Sequence, residues 1–378
     1  MITISTDKLK PGMITCQSIY DSSGLFLLRR GTKLTSFYIR KIIEADIKEI
    51  TVLSTNIYKN IELPNDVVFE TTRSKTIQSL STTFDILEEK GVLIIDKIQS
   101  CIISIIKDLM RNKSNLVQIN DISTYDNYTL VHSVNVAVLS SLIGVIYNLS
   151  PKDLEELTLG ALLHDIGKIF IPLDILNKPS TLSDDEFDNI KKHPVYSMQK
   201  LRDASSFSQS IIEIAAQHHE RIDGKGYPNN LASNDISFFA KIVAIADVYD
   251  ALTSIRPYKK AYKPHIAYTI MMFHSEGQFD VNILKKFFAY VALYPNGTIV
   301  KTNLGAAIVK ESLQGQVTNP IIFIFTDKHH QLLSNPLLVD LAKNSSCYIE
   351  SVLDDNEILF LIEQLHFDPV SLLDTGIH

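Results

Sequence analysis

His218-His219-Glu220-Arg221-Ile222-Asp223-Gly224-Lys225-Gly226-Tyr227-Pro228 sets two adjacent imidazoles directly before a glycine-punctuated turn. Upstream, Leu162-Leu163-His164-Asp165-Ile166-Gly167-Lys168 closes an apolar helical pattern on a His-Asp pair. Downstream, Asp247 and Asp250 stand three apart in an apolar stretch, so they share one helical face. Carboxylates beside imidazoles in apolar surroundings are costly unless a cation neutralises them. Histidine with aspartate is also the mixed nitrogen and oxygen set that first-row divalent metals accept. The first expectation is therefore a metal centre assembled from several helices.

Around this stretch the hydrophobic period is helical from about 116 to 290, and the helix starts are legible. Ser150-Pro151-Lys152-Asp153 offers an N-cap serine, a proline at the first helical position and an acid in the first turn. Ser183-Asp184-Asp185-Glu186 has the pattern of a capping box. The expected fold class is mainly α, with an all-helical domain over 116–290. Residues 1–62 alternate short apolar runs with turns such as Lys10-Pro11-Gly12, which predicts a small β-rich N-terminal domain with one helix from Ser36 to Ala45, capped by Ser36. Residues 63–115 place Leu80, Phe84, Leu87, Ile98, Ile102, Ile105 and Leu109 at helical spacings, as a connecting hairpin or dimerisation segment would. Residues 291–378 turn to β-type runs divided by Pro295-Asn296-Gly297 and Asn319-Pro320, with a helical piece near Pro336 to Lys343. A small C-terminal β or α+β extension is expected there.

With 378 residues and 45% hydrophobic content, the chain is long enough for two or three folded units with proper cores. A net charge of -7 argues against a surface that grips polymeric nucleic acid, since such surfaces are basic. Cys16, Cys101 and Cys347 show no CxxC spacing, which fits reduced, buried thiols in a cytoplasm better than a disulfide framework or a cysteine zinc site. No basic leader with an apolar core opens the sequence, and no uninterrupted apolar run approaches the roughly 18 to 20 residues that span a bilayer. Ile321-Ile322-Phe323-Ile324-Phe325 has instead the length and composition of a buried strand. A cytoplasmic location without membrane association is expected.

Of the 11 histidines, five fall between His132 and His219. His132 enters an apolar helix running through Val134, Ala137, Leu142 and Val145, where a lone imidazole is more often a satisfied core group. His164-Asp165 ends the helix that Pro151 starts, with Gly167 as a left-handed exit, and an aspartate there can bridge two ions through its two oxygens. His193-Pro194 falls where the proline breaks the helix begun at Ser183 and can turn the imidazole inward. Consecutive helical side chains diverge by about 100°, so His218 and His219 both serve one centre only where the helix ends or the centre spans two ions. Asp247, after Ala244-Ile245-Ala246, needs a counter-ion. Each has an ordinary structural reading alone; His132, His164, Asp165, His193, His218, His219 and Asp247 together point to a metal site.

The chain from about 120 to 290 resembles an HD-GYP domain, a subgroup of the HD phosphohydrolase superfamily. The resemblance rests on Tyr128-Thr129-Leu130-Val131-His132-Ser133, the Leu162 to Lys168 box, Ile175-Leu176-Asn177-Lys178-Pro179, His193-Pro194, the His218 to Pro228 stretch, and Ala246-Asp247-Val248-Tyr249-Asp250-Ala251-Leu252-Thr253-Ser254-Ile255-Arg256-Pro257-Tyr258. An isolated His-Asp pair would be weak, but this ordered string is specific. More weakly, Leu9 to Met13 and Gly31 to Thr35 resemble an accessory domain that often precedes such domains, and Leu293 to Thr298 resembles their usual continuation.

The resemblance implies an HD-type helical catalytic domain that hydrolyses the bacterial second messenger cyclic di-GMP to linear pGpG, and often onward to GMP, by a hydroxide shared between two metal ions. It implies that His164, Asp165 and Asp247 hold one ion with His132 close by, and that Asp165, His193, His218 and His219 hold the other. Lys168 is implied as the catalytic cation at the phosphate, although a lysine after a helix-ending glycine is often only a solvated cation. Tyr227, Arg256 and Lys259 are implied as substrate contacts, with Asp250 orienting the two cations. Relatives with a third metal carry an acid four positions before His132; Tyr128 stands there, so two divalent transition metal ions are expected, Fe or Mn. Ser197 stands where many relatives have glycine. Two alternatives stay open: a receptor that binds a cyclic dinucleotide without cutting it, and a hydrolase of another one, such as cyclic GMP-AMP. The helical segment at 65–115 suggests a homodimer.

Overall fold

The computed structural model describes residues 2–373 except 17, 22–25, 30, 54–66, 113–127, 177, 179, 205, 255–260 and 368. The N-terminal part comprises β1 (Ile2–Ser5), β2 (Ile14–Thr15), β3 (Ile19–Tyr20), β4 (Phe26–Leu28), α1 (Ser36–Glu44) and β5 (Glu49–Leu53). Strand β5 lies between β1 and β2, antiparallel to both, and β3 pairs with β4. Leu9, Ile19, Leu28, Leu34, Ile42, Ile50 and Val52 fill the core of this unit. The cap of α1 is Thr35, not Ser36: Thr35 keeps an extended backbone and its Oγ1 accepts from Tyr38 N at 3.3 Å, which leaves Ser36 as the first helical residue.

The helical part comprises α2 (Glu70–Lys90), α3 (Asp96–Arg111), α4 (Tyr128–Ile146), α5 (Pro151–Leu163), α6 (Leu173–Leu176), α7 (Asp184–Ile190), α8 (His193–Asp203), α9 (Gln209–Gln217), α10 (Phe238–Thr253), α11 (Pro264–Phe273), α12 (Ser275–Gln278) and α13 (Val281–Phe288). The apolar stripes of α2 and α3 pack into the helical core. Ile77, Leu80, Ile102, Ile105 and Leu109 join Leu139, Leu142, Leu157, Ile214 and Ile245 in one core. Helix α4 is apolar on every side because it runs through the middle of that core. Thr129–Ile146 is in fact long and apolar enough to cross a membrane by length and composition, beyond what the sequence reading allowed, but 78% of it is buried inside the fold. The expected caps form. Ser150 Oγ accepts from Asp153 N at 3.2 Å, and Ser183 and Glu186 exchange both bonds of a capping box; each such cap stabilises its helix by about 1 kcal/mol.

The C-terminal part is an antiparallel five-stranded sheet of β6 (Ile299–Thr302), β7 (Gly305–Glu311), β8 (Ile321–Thr326), β9 (Leu332–Asp340) and β10 (Ile349–Val352), in the order β10-β6-β7-β8-β9, followed by α14 (Asp355–Leu365). The helical piece expected near Pro336 is the edge strand β9. It pairs only with β8, and an edge position tolerates a proline that has no N–H to donate. Ile358 and Leu361 of α14 cover Ile299, Ile308, Phe323 and Phe325, and Ile14 and Cys16 from the N-terminal part pack into the same cluster. The first and last parts of the chain therefore share a core.

Candidate metal centre

The site is assembled at helix ends. His132 comes from the second turn of α4; His164 caps the end of α5; Asp165 opens the 3₁₀ turn Ile166–Phe170; His193 starts α8; His218 caps the end of α9, with His219 next; Asp247 lies in α10. A helix end lets a side chain leave the regular spiral, which is how neighbouring residues such as His164 and Asp165, or His218 and His219, face one point. Gly167 is not the left-handed exit that the sequence suggested, since it lies in the 3₁₀ turn and is absent from the positive-φ residues. Its small size serves another end. A Cβ there would meet His193 O at 2.2 Å and Ser197 N at 2.5 Å, so only glycine lets the start of α8 pack directly on this turn. Gly167 N donates to Ser197 Oγ at 2.8 Å across the same contact.

The seven expected residues come together. Asp165 Oδ2 lies 3.2 Å from His164 Nε2 and 3.6 Å from His132 Nε2, whereas Oδ1 lies 3.2 Å from His193 Nε2 and 3.8 Å from His218 Nε2. Asp247 Oδ1 is 3.1 Å from His132 Nε2, and its Oδ2 is 3.7 Å from His219 Nδ1. Two candidate ligand groups result, His132-His164-Asp165 and Asp165-His193-His218-His219, with the donor atoms of each within 4.8 Å of one another. Asp165 belongs to both. All seven are buried except His219, which is partly exposed.

The imidazoles are oriented from behind. His164 Nδ1 lies 2.7 Å from Ala161 O, His193 Nδ1 2.7 Å from Ile190 O, and His218 Nδ1 3.0 Å from Ala215 O. A carbonyl oxygen only accepts, so each Nδ1 carries a proton and each Nε2 is the nitrogen turned to the centre. Burial pushes His218 well below its ordinary pKa and, first among its causes, takes His219 down to about 3, so both stay neutral. Burial opposes ionisation of Asp165, but His164 and Lys168 outweigh it and hold the carboxyl well below the usual range. Asp247 is likewise held low against burial, chiefly by its hydrogen bond from His132. Burial also disfavours a charge on His132, yet Asp247 and Asp250 together raise it to about 9. The residues fit a divalent cation on a further count. His164 Nε2 and Asp165 Oδ1 are buried without a hydrogen bond, at about 1–3 kcal/mol each, and a cation in each ligand group would satisfy them in turn.

Residues 102–283 match the HD domain family model. That segment, a little under half of the chain, is similar to HD domains. Over 236 residues it is 35% identical to a cyclic di-GMP phosphodiesterase of Pseudomonas aeruginosa, a match covering 62% of this chain and 57% of that protein. It is 30% identical over 234 residues to the cyclic di-GMP phosphodiesterase PdeB of Borreliella burgdorferi, covering 61% and 62%. It is 39% identical over 144 residues to the 3'3'-cGAMP-specific phosphodiesterase 3 of Vibrio cholerae, covering 38% and 31%. The chain thus spans less than two thirds of the length of each of these relatives.

Beside the centre, the helical part opens a cleft of about 740 Å³ lined by His218, His219, Tyr227, Lys191, Lys192 and Lys225, among others. Lys168 Nζ is 2.5 Å from Asp165 Oδ2 and partly exposed, at the border between centre and solvent. The Tyr227 ring lies 4.7 Å from the His219 ring, tilted by 30°, where it forms one wall of the cleft. Asp250 lies beneath the centre. It is fully buried, with Oδ2 2.6 Å from His132 Nδ1 and Oδ1 accepting from Asn135 Nδ2 at 2.8 Å and Ser254 Oγ at 2.9 Å, so among the described residues its partners stand behind His132. Arg256, Lys259, Asp126 and the side chain of Tyr128 lie outside the described residues.

Several residues that line or brace the site are not singled out by the sequence. Lys191-Lys192 was visible as a cation pair before His193, and Asn135 as a polar residue one turn after His132 in an apolar helix. Glu220 carried no signal of its own. Buried after the two histidines, it accepts from Asn229 N at 2.7 Å and Leu231 N at 3.0 Å and so ties down the loop that carries Tyr227. Gly226 permits that loop to fold back, because a Cβ there would lie 2.5 Å from Arg221 N and Glu220 Cα.

Proposed function

We propose that this chain is a metal-dependent phosphodiesterase that opens cyclic di-GMP to linear pGpG and carries it on to GMP. In this reading His132, His164, Asp165 and Asp247 hold one divalent cation, Fe or Mn, and Asp165, His193, His218 and His219 hold a second. The observation that carries it is Asp165, whose two carboxylate oxygens face opposite sets of imidazole nitrogens within 3.2 to 3.8 Å. When bound, such a pair of cations supplies Lewis acidity at the phosphoryl oxygens and a nucleophilic water at neutral pH.

The chain's own groups do the rest. Lys168, at the border of the centre, neutralises an equatorial phosphoryl oxygen and is placed to supply a proton to the leaving alkoxide. Tyr227 offers a flat face beside His219 on which a guanine can stack, and Lys191, Lys192 and Lys225 give the cleft the positive charge that two phosphates require. Arg256 and Lys259 are proposed as further phosphate contacts from the segment after α10. Residues 116–290 form the catalytic domain in this assignment, with 1–62 as accessory domain and 291–378 as extension, and three buried free thiols support work in a reducing cytoplasm.

The purified chain loaded with Mn²⁺ under anaerobic conditions is to be offered cyclic di-GMP, 3'3'-cGAMP and pGpG at equal concentration. Turnover of cyclic di-GMP to pGpG is expected, and metal-replete protein that leaves it intact refutes the assignment. The match to a cGAMP-specific relative keeps a second reading, which faster hydrolysis of 3'3'-cGAMP would favour. The choice would then lie in pocket contacts to the second base and not in the metal ligands.

A further inference from the structure

Arg73, one turn into α2, is 2% exposed. A guanidinium so deeply placed is expensive unless its donors are engaged in a fixed geometry. Its Nη1 donates to Asn135 Oδ1 at 2.8 Å. Asn135 sits on α4 three residues after His132, and its Nδ2 donates to Asp250 Oδ1 at 2.8 Å. Asp250 Oδ2 in turn accepts from His132 Nδ1 at 2.6 Å. Each link runs one way only: the guanidinium donates, the amide oxygen accepts, the amide nitrogen donates, and the carboxylate accepts. The row therefore fixes which way the Asn135 amide faces, and it leaves His132 with its Nε2 turned to Asp247 Oδ1 at 3.1 Å and Asp165 Oδ2 at 3.6 Å.

The other end of the row touches the N-terminal part. Glu70 opens α2 one turn before Arg73, and its carboxylate accepts from Ser18 Oγ and Tyr20 Oη, both buried. Tyr20, of β3, also sits in the apolar core that α2 shares with α4. The same first turn is tied to α3, since Phe69 N and Thr72 Oγ1 donate to the buried Asp108 Oδ2 at 3.2 and 2.6 Å. The position of Arg73 is thus set jointly by the β-rich unit and α3, while its head group reaches the back of the metal centre.

We propose that Arg73 is a positioning residue for the metal centre: through Asn135 and Asp250 it holds His132 in its ligating orientation, and it makes that hold depend on docking of the N-terminal part at Glu70. The proposal rests on the assignment of His132 as a metal ligand. If the β-rich unit shifts, the first turn of α2 loosens and Arg73 withdraws. The Asn135 amide then loses the donor that orients it. Once flipped, it sets an oxygen against Asp250 Oδ1, and the carboxylate is pushed off His132. Events at the N-terminal part would in this way tune catalysis without any contact to substrate.

The test uses the full chain and reads Mn²⁺ binding by calorimetry and by the Mn²⁺ paramagnetic resonance signal, with kcat and KM for cyclic di-GMP alongside. Arg73→Met is expected to weaken one of two Mn²⁺ sites by about 10–100-fold, as loss of the group behind a ligand does, and to lower kcat with KM little changed. Asp250→Asn is expected to do the same, and the double variant to lose little more, because both act on one ring. Glu70→Ala should give a smaller loss in the same direction; because it leaves the buried guanidinium in place, it carries the test if Arg73→Met does not fold. Two wild-type Mn²⁺ affinities in folded Arg73→Met, or in Glu70→Ala where Arg73→Met is unfolded, overturn the proposal, as does a double variant whose losses simply add. Wild-type protein that binds two Mn²⁺ but turns over no cyclic dinucleotide overturns the proposed function and leaves this inference standing. Wild-type protein that binds no Mn²⁺ overturns the metal assignment on which both depend.

Discussion

Replacing Gly167 by alanine separates the geometry of the centre from the stability of the fold around it. The added Cβ would stand 2.2 Å from His193 O, 2.5 Å from Ser197 N and 2.8 Å from Ser197 Oγ. Two of these three are backbone atoms in the first two turns of α8, so no rotamer change relieves them. The His193 carbonyl must retreat from 2.2 Å to beyond 3.0 Å, a shift of about 0.8 Å, and it takes the His193 ring along. That ring now stands 3.2 Å from Asp165 Oδ1. Misplacing a reacting or ligating group by about 1 Å costs on the order of 10²-fold in rate, while overpacking costs about 1–3 kcal/mol of stability. Gly160→Ala is the control. Its Cβ would meet Ile214 Cδ1 at 2.4 Å with no backbone atom among its near contacts, so a side-chain shift answers it and only stability falls. Measured by thermal unfolding, Mn²⁺ titration and cyclic di-GMP turnover, Gly167→Ala is expected to lose roughly 100-fold in kcat and one tight Mn²⁺ site, whereas Gly160→Ala keeps both. Adding Ser197→Gly to Gly167→Ala should not rescue it, because the two backbone clashes remain. Equal activity losses in the two alanine variants, at equal loss of stability, would refute the geometric account.

Asp165→Asn removes the only carboxylate common to both ligand groups and should reduce bound Mn²⁺ at both sites, with turnover down by about 10³-fold or more; elemental analysis showing two ions retained would contradict the bridging role. Tyr227→Ala should raise KM for cyclic di-GMP by about 5- to 100-fold, the scale of one base stacked on an aromatic ring, with Mn²⁺ content unchanged; an unchanged KM removes the tyrosine from the substrate contacts. His265 is held down to about 4 by burial first and by Lys263 second. Its folded value lies below the unfolded value near 6.5, so the unfolded chain binds more protons between these limits. The resulting stability is present above pH 6.5 and is lost as pH falls towards 4, on the order of 1–2 kcal/mol after solvent screening. The fall in melting temperature from pH 7 to pH 5 should accordingly be smaller in His265→Gln, and an identical fall argues against this histidine.

What could be read from the sequence was chemistry that is local or costly. Ser150 and Ser183 declare their helix starts because a cap bonds to residues two or three positions away. The seven ligand candidates declare themselves because imidazoles and carboxylates rarely enter apolar helices without a partner, so their types and helix-end positions carry the information before any distance is known. What stayed hidden depends on what lies opposite. Gly167 is compatible by sequence with a left-handed turn, and only the carbonyl of His193 across the contact explains it. Pro336 to Val339 pairs with β8, and no local period reveals that partner. The stripes of α2 and α3 say that a face is buried without saying against what, so a dimer and an intramolecular core read alike until α4 and α5 are seen to fill the space. Asp250 shows the same limit within the centre. Its type and spacing mark it as functional, but whether it faces phosphate or imidazole is decided by Asn135 and Arg73, the second of them 177 positions away in the chain by residue number. A sequence pattern thus identifies which atoms must be paired, and the fold decides with which partner, so the substitutions that discriminate best are those that move a partner while leaving the recognised motif intact.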